Sequence, residues 1–179
     1  SNAQARDRIR MVVQCVRDKA KSVVVAHEAY SFDDVEFVWS LPKRVVPMLT
    51  RLTGQTRPLP FVEDMAVGPE LLPQFLVRMQ NVLKRHQLTA SLFGHAGHGQ
   101  LHLRPFLNLA DPEDVLKMDR LAGDLADEVI RVGGTISGEH GDGLVRAPFQ
   151  KKMFGPVLYD AFCEIKRTFD PEGLFNPGK

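Results

Sequence analysis

Apolar positions along the chain fall into helical and strand-like periods that alternate without an internal repeat. Ile9, Val12, Val13 and Val16 recur at helical spacing and predict a helix over 4–21. Residues 22–26 are a short apolar run rich in β-branched side chains and predict a strand, and after a polar stretch comes the run Val35-Glu36-Phe37-Val38-Trp39. Val45, Val46, Met48, Leu49 and Leu52 predict a further helix after Pro42, and a loop then runs to Pro60. A strand is expected over 60–67.

The strongest helical stripe is Leu72, Phe75, Leu76, Met79, Val82 and Leu83, in a helix expected over 69–86. Pro69 suits its first turn, where a missing N–H leaves nothing unpaired. Strands are expected over 88–93 and 101–106, with a glycine–histidine loop between them. Asp111-Pro112-Glu113-Asp114 has the cap, proline and first-turn acids of a helix start. That helix would bury Met118, Leu121, Leu125, Val129 and Val132 and stop at Gly133-Gly134. A last helix is expected over 149–169, with Phe154, Val157, Leu158, Ala161, Phe162 and Ile165 turned inward. Turn-forming residues make up the tail from Asp170 to Lys179.

The connection between the two strands at the histidine loop is too short for a crossover, so they pair antiparallel. The fold class read from this order is α+β, a small antiparallel sheet flanked by helices. The 179 residues suffice for one domain with a real core. Ser1-Asn2-Ala3 reads as a scar of tag removal, leaving 4–179 as that domain.

Charge excludes some functions. Against 22 Asp and Glu stand 23 Lys and Arg, a formal net charge of +1. That balance argues against a basic nucleic-acid face and against a polybasic membrane anchor. No apolar run approaches the roughly 20 residues that span a bilayer, and no transmembrane segment is expected. Cys15 and Cys163 form no motif and read as ordinary buried thiols of a reducing cytosol, so a cytoplasmic location is expected.

The candidate chemistry is concentrated. Four of six histidines and nine of fourteen glycines lie between positions 94 and 143. The first cluster is Gly94-His95-Ala96-Gly97-His98-Gly99-Gln100-Leu101-His102. Three imidazoles on a tight loop suit a borderline ion such as Zn²⁺, yet the spacing matches no standard finger. A histidine loop without metal therefore stays open. The second cluster runs from Gly133 to Gly143 and holds adjacent Glu139 and His140. In a regular strand the two would face opposite ways, but Gly138 and Gly141 can turn both toward one cavity. A carboxylate ligand beside a histidine base suits a hydrolase or a dehydrogenase. A plain glycine turn is the alternative. No phosphate-loop or dinucleotide fingerprint is present.

Three ordered motifs carry a resemblance. They are Gly-His-x-Gly-x-Gly-x-Leu-His from Gly94, Gly-Gly-x-x-Ser-Gly-Glu-His-Gly-x-Gly from Gly133, and Lys-x-x-Phe-Asp-Pro-x-Gly-x-x-Asn-Pro-Gly-Lys from Lys166, with Glu63-Asp64-x-Ala-Val fitting as well. From about Val35 onward the chain resembles the C-terminal domain of FAD-linked 2-hydroxy-acid dehydrogenases of the vanillyl-alcohol-oxidase type. These include D-lactate, glycolate and D-2-hydroxyglutarate dehydrogenases. The version here is most like long members fused to an iron–sulfur module.

The resemblance implies a ferredoxin-like substrate or cap domain, a fragment of a longer flavoprotein. It implies an oxidoreductase that transfers hydride from a 2-hydroxy acid to FAD, which is held mainly by an upstream domain of the same chain. Iron–sulfur or quinone electron acceptors follow, as does a location in the cytoplasm or peripheral to the inner membrane. His95, His102 and Glu139 are implied as ligands of zinc or another divalent metal. His140 is implied as the general base. Asn176 and Lys179 match the tail that packs near the flavin and are the cofactor-side residues, with a structural role open to both.

Departures bear on the substrate. His98 stands where the family often has Asp, and Gln100 where it often has Asn. Pro42 stands where an Arg often pairs with the substrate carboxylate, which leaves Lys43 and Arg44 as substitutes or as solvated surface charges. Arg104 and Arg146 flank the two site loops and are further carboxylate candidates. His98 is an extra ligand or substrate contact, or a solvent-facing loop residue. The fragment alone is expected neither to hold FAD tightly nor to turn over. A metal-dependent hydrolase and a non-catalytic interaction module stay open as alternatives.

Overall fold

The structure, a computed structural model, describes residues 2–20 and 26–177. The chain divides into two compact units, Ser1–Leu52 and Thr53–Lys179.

The first unit holds two helices, α1 (Asn2–Lys19) and α2 (Phe32–Thr50). The run 35–39 lies in the first half of α2. Ser31 caps that helix, its Oγ accepting from the Asp34 N–H at 3.1 Å, and Asp33 and Asp34 occupy the positive end of the dipole. These start signals outweigh the strand preference of Val35, Phe37, Val38 and Trp39. Pro42 and Pro47 lie inside α2, and no residue of α2 is buried. The strand expected at 22–26 falls, up to Val25, outside the described residues.

The second unit is built on β4 (Gln100–Leu107), which is paired on both edges. Along one edge runs β3 (Ala90–His95) in antiparallel register, Ala90 opposite Pro105 and His95 opposite Gln100. On the other edge lie β1 (Arg57–Pro58) beside Leu107 and β2 (Met65–Ala66) beside Leu101. The expected pairing across the histidine loop is present. The strand expected over 60–67 shrinks to Met65–Ala66, which leaves Glu63 and Asp64 in the approach to β2.

Two helices cover one face, α3 (Leu72–Arg85) and α4 (Pro112–Arg131). Asp111 caps α4 by accepting from the Glu113 N–H at 2.9 Å. Phe75, Met79 and Val82 of α3 meet Leu121, Leu125 and Val129 of α4 and the strand residues Leu101 and Leu103 in one buried cluster. The stripes expected for both helices are the ones buried. Side chains alternate across β4, as a pleated strand requires. Leu101 and Leu103 enter this core, while Gln100, His102 and Arg104 point to the opposite face. The domain is α+β, with the sheet antiparallel throughout.

Beyond α4 come a short turn of helix, α5 (Gly143–Arg146), and α6 (Gln150–Phe169), which is broken by non-helical Gly155. The inward stripe expected for α6 is not found. Phe154, Val157, Leu158, Phe162 and Ile165 are exposed and no residue of α6 is buried. Only Met153 and the preceding Phe149 reach the core cluster, so the core ends at the first turn of this helix. Neither thiol is buried as expected: Cys15 is exposed and Cys163 partly so.

Substituting Phe75→Ala, at 0% exposure, should cost about 3–5 kcal/mol of stability in urea unfolding. Phe169→Ala, at 81% exposure, should change stability by less than about 0.5 kcal/mol.

Candidate active site

The polar face of β4 meets two backbone segments, the Glu63-Asp64 approach to β2 and the loop from Thr135 to Asp142. A bridge between Ala66 and Thr135 aligns them, with N–H to oxygen distances of 2.9 and 2.8 Å. Asp64 then holds the loop. Its carboxylate is 1% exposed and accepts from Ser137 Oγ at 3.1 Å, from the Glu139 N–H at 3.1 and 3.3 Å, and from the His140 N–H at 3.0 Å. Gln100 Nε2 of β4 donates to it at 2.8 Å. Its backbone oxygen takes the Gly138 N–H at 2.8 Å. Four successive loop residues are thus tied to one residue.

Burial by itself would raise the Asp64 pKa. The His140 and Glu139 N–H groups and the Ser137 hydroxyl oppose it, and the carboxyl is held below the usual carboxylate value. A Cβ at Gly138 would lie 1.8 Å from Gln100 Oε1, so a larger residue there must displace the amide that donates to Asp64. Gly99 is required at the loop exit, where φ is +69° and a Cβ would lie 1.8 Å from the Val67 carbonyl oxygen.

With the loop so placed, three imidazole nitrogens surround one carboxylate oxygen. Glu139 Oε1 lies 3.0 Å from His102 Nε2, 3.6 Å from His140 Nε2 and 3.7 Å from His95 Nε2. Each histidine arrives from a different origin. His102 is on the inner strand and almost buried, His95 ends β3 and is half exposed, and His140 follows Glu139. Second interactions orient two of the rings. His102 Nδ1 is 2.9 Å from the Glu63 carbonyl oxygen, which can only accept, so Nδ1 carries the proton and Nε2 faces Glu139. His140 Nδ1 is 3.0 Å from Glu63 Oε1. The His102 and His140 rings stack with centroids 5.2 Å apart.

Two imidazole nitrogens and a carboxylate oxygen are the donor types a divalent ion takes. Ligand atoms about 2.0–2.1 Å from a tetrahedral zinc stand roughly 3.4 Å from one another. The His102–Glu139 and His95–Glu139 separations of 3.0 and 3.7 Å bracket that value. Among the described residues, the group whose ligand-type atoms all lie within 4.8 Å of one another is Asp64, His102, Glu139 and His140, which takes in His140 and leaves out His95. The Asp64 oxygens are already taken by protein donors, which makes that carboxylate a support and not a ligand.

A family model described as FAD linked oxidases, C-terminal domain, matches residues 1–179. This chain belongs to the FAD-linked oxidases. Among relatives of this FAD-linked oxidase domain is the D-2-hydroxyglutarate dehydrogenase of Pantoea ananatis, 37% identical over 82% of the chain and 14% of the relative. The D-2-hydroxyglutarate dehydrogenase of Pseudomonas putida is 34% identical over 99% of the chain and 18% of the relative. Glycolate oxidase subunit GlcD of Bacillus subtilis is 26% identical over 97% of the chain and 36% of the relative. The chain spans less than a fifth of the two dehydrogenases.

Two of the remaining sequence candidates, Arg104 and Arg146, contact Glu63 and Asp64 of the site. Arg104 pairs with Glu63 Oε2 at 2.6 Å and lies over the Phe93 ring. Arg146 donates through Nε to the Gly141 carbonyl at 3.0 Å and through Nη2 to the same oxygen, and it lies 3.8 Å from Asp64 Oδ2. His98 is exposed in the turn between β3 and β4. Lys43 and Arg44 are exposed on α2 of the other unit. Asn176 is exposed at a positive φ of 49°, and Lys179 lies outside the described residues. Glu63 and Asp64 were not among the predicted site residues. Their signal was present: two adjacent acids in the otherwise apolar run 60–67 have to find donors when that run enters a core. Among the described residues, no helix is long and apolar enough to cross a membrane.

Asp64→Ala should lower stability by about 2–3 kcal/mol, because it leaves buried donors without an acceptor. Since the folded Asp64 pKa is depressed, its contribution is full above the unfolded value of about 3.9 and is lost as pH falls through the folded value. Urea midpoints between pH 3 and 7 should therefore converge for the wild type and Asp64→Ala at the acid end.

Proposed function

We propose that this FAD-linked oxidase domain forms the substrate pocket of a larger FAD-dependent oxidoreductase that oxidises a 2-hydroxy acid. The supporting observation is the ring of three imidazole nitrogens around Glu139 Oε1, with His140 held by a carboxylate behind it. The family match favours this reading over a free-standing metal hydrolase or a non-catalytic module. The dehydrogenase relatives put a 2-hydroxy dicarboxylate first among substrates to try.

His95, His102 and Glu139 would hold a divalent ion. When bound, such an ion supplies a Lewis acid that makes a substrate hydroxyl more acidic. FAD, held mainly by an upstream domain of the same protein, would supply the two-electron acceptor when bound. His140 would take the hydroxyl proton at Nε2, since its other nitrogen, Nδ1, lies 3.0 Å from Glu63 Oε1. His102 is fixed by the Glu63 carbonyl and presents Nε2 without reorientation. Arg104 and Arg146 direct hydrogen bonds to protein acceptors, which makes them supports of the pocket more than clamps for a substrate carboxylate. Iron–sulfur or quinone acceptors belong to the same proposal.

The full-length protein, screened by dye reduction against D- and L-2-hydroxy acids with metal analysis of the same sample, should turn over at least one. His140→Ala should lower kcat by about 10²–10⁴-fold. His102→Ala should reduce the metal content. A metal-free wild type, or one that reduces no dye with any 2-hydroxy acid, would contradict the proposal.

A further inference from the structure

Glu63 makes three contacts within the site. Its carbonyl oxygen accepts from His102 Nδ1 at 2.9 Å, its Oε1 faces His140 Nδ1 at 3.0 Å, and its Oε2 accepts from Arg104 at 2.6 Å. The carboxylate is largely enclosed, with 13% of the side chain exposed. Asp64 Oδ1 is the other acid near His140 Nδ1, but at 3.8 Å it is beyond hydrogen-bond reach, and it already accepts from Gln100 and the Glu139 N–H.

We infer that Glu63 is the positioning residue of His140, and that Arg104 locks it in that role. An ionised carboxylate only accepts, so the proton of neutral His140 must sit on Nδ1. The lone pair is then on Nε2, the nitrogen that faces Glu139. One residue thereby sets the tautomer of both stacked rings, His102 through its backbone and His140 through its side chain. In the proton transfer this serves, the substrate O–H bond breaks and the Nε2–H bond forms while Nδ1–H stays on Glu63. The inference rests on the proposed role of His140 as base.

Arg104 makes Glu63→Gln a sharp test. A guanidinium can only donate, so it draws the single amide oxygen to itself and turns the amide NH₂ toward His140. Nδ1 must then accept, and the proton moves to Nε2. Adding Arg104→Leu frees the amide to rotate and to present its oxygen to His140 again.

The experiment uses the full-length enzyme with two readouts. One is steady-state kinetics with the 2-hydroxy acid found by dye reduction. The other is carbethoxylation of His140 by diethyl pyrocarbonate, followed by peptide mass spectrometry with exposed His98 as the internal reference. Glu63→Gln should lower kcat by about 10–100-fold with KM little changed. It should also slow modification of His140 severalfold relative to His98. Adding Arg104→Leu should recover part of both. Unchanged modification of His140 in Glu63→Gln, whatever happens to kcat, would overturn the inference, as would a double variant no better than the single one. If the wild type turns over no 2-hydroxy acid, the proposed function fails, while the modification rates still decide the tautomer. Retained FAD in each variant checks that the fold is intact.

Discussion

A buried carboxylate that cannot reach water must be satisfied by the protein, and Asp64 is satisfied by the loop that carries the chemistry. Ser137, Glu139 and His140 all donate to it, and Gln100 ties the cluster to the inner strand. The cost of burying that charge is offset only when every donor is in place. The loop conformation and the charge therefore stand or fall together. This is what allows a glycine-rich segment with few apolar anchors to hold Glu139 within 3.0 Å of His102.

Strand alternation supplies the other half of the arrangement. On β4, Leu101 and Leu103 anchor the sheet in the helical core, and Gln100, His102 and Arg104 on the reverse face meet Asp64, Glu139 and Glu63. The packing that fixes the strand also fixes the site. Shifting the register by one residue would put the imidazole into the core and a leucine into the site, so stability and chemistry depend on one pairing.

Much of this was legible in the residues. The stripes of α3 and α4, the antiparallel pair around the histidine loop and the α+β class followed from periodicity and spacing. The histidine loop and the Glu139-His140 pair stood out by composition, and the structure brings His95, His102, Glu139 and His140 together. What escaped were features decided by partners distant in sequence. Glu63 and Asp64 read as part of a strand because their donors lie about forty to seventy-five positions away. Residues 35–39 have strand preferences, yet the Ser31 cap and two acids made them helix. The apolar stripe of α6 has the period of a buried helix, but the described core stops at its first turn. Arg104 is a candidate for the substrate carboxylate from its place beside the loop, and only the fold shows Glu63 beside it.

The dependence of the site on Asp64 is most directly read from amide hydrogen exchange of the loop from Ser137 to His140, comparing the wild type with Asp64→Asn. Slow exchange of the Glu139 and His140 amides in the wild type, fast exchange in the variant, and unchanged protection in α4 is the pattern this account predicts. Equal protection of those two amides in both proteins would contradict it.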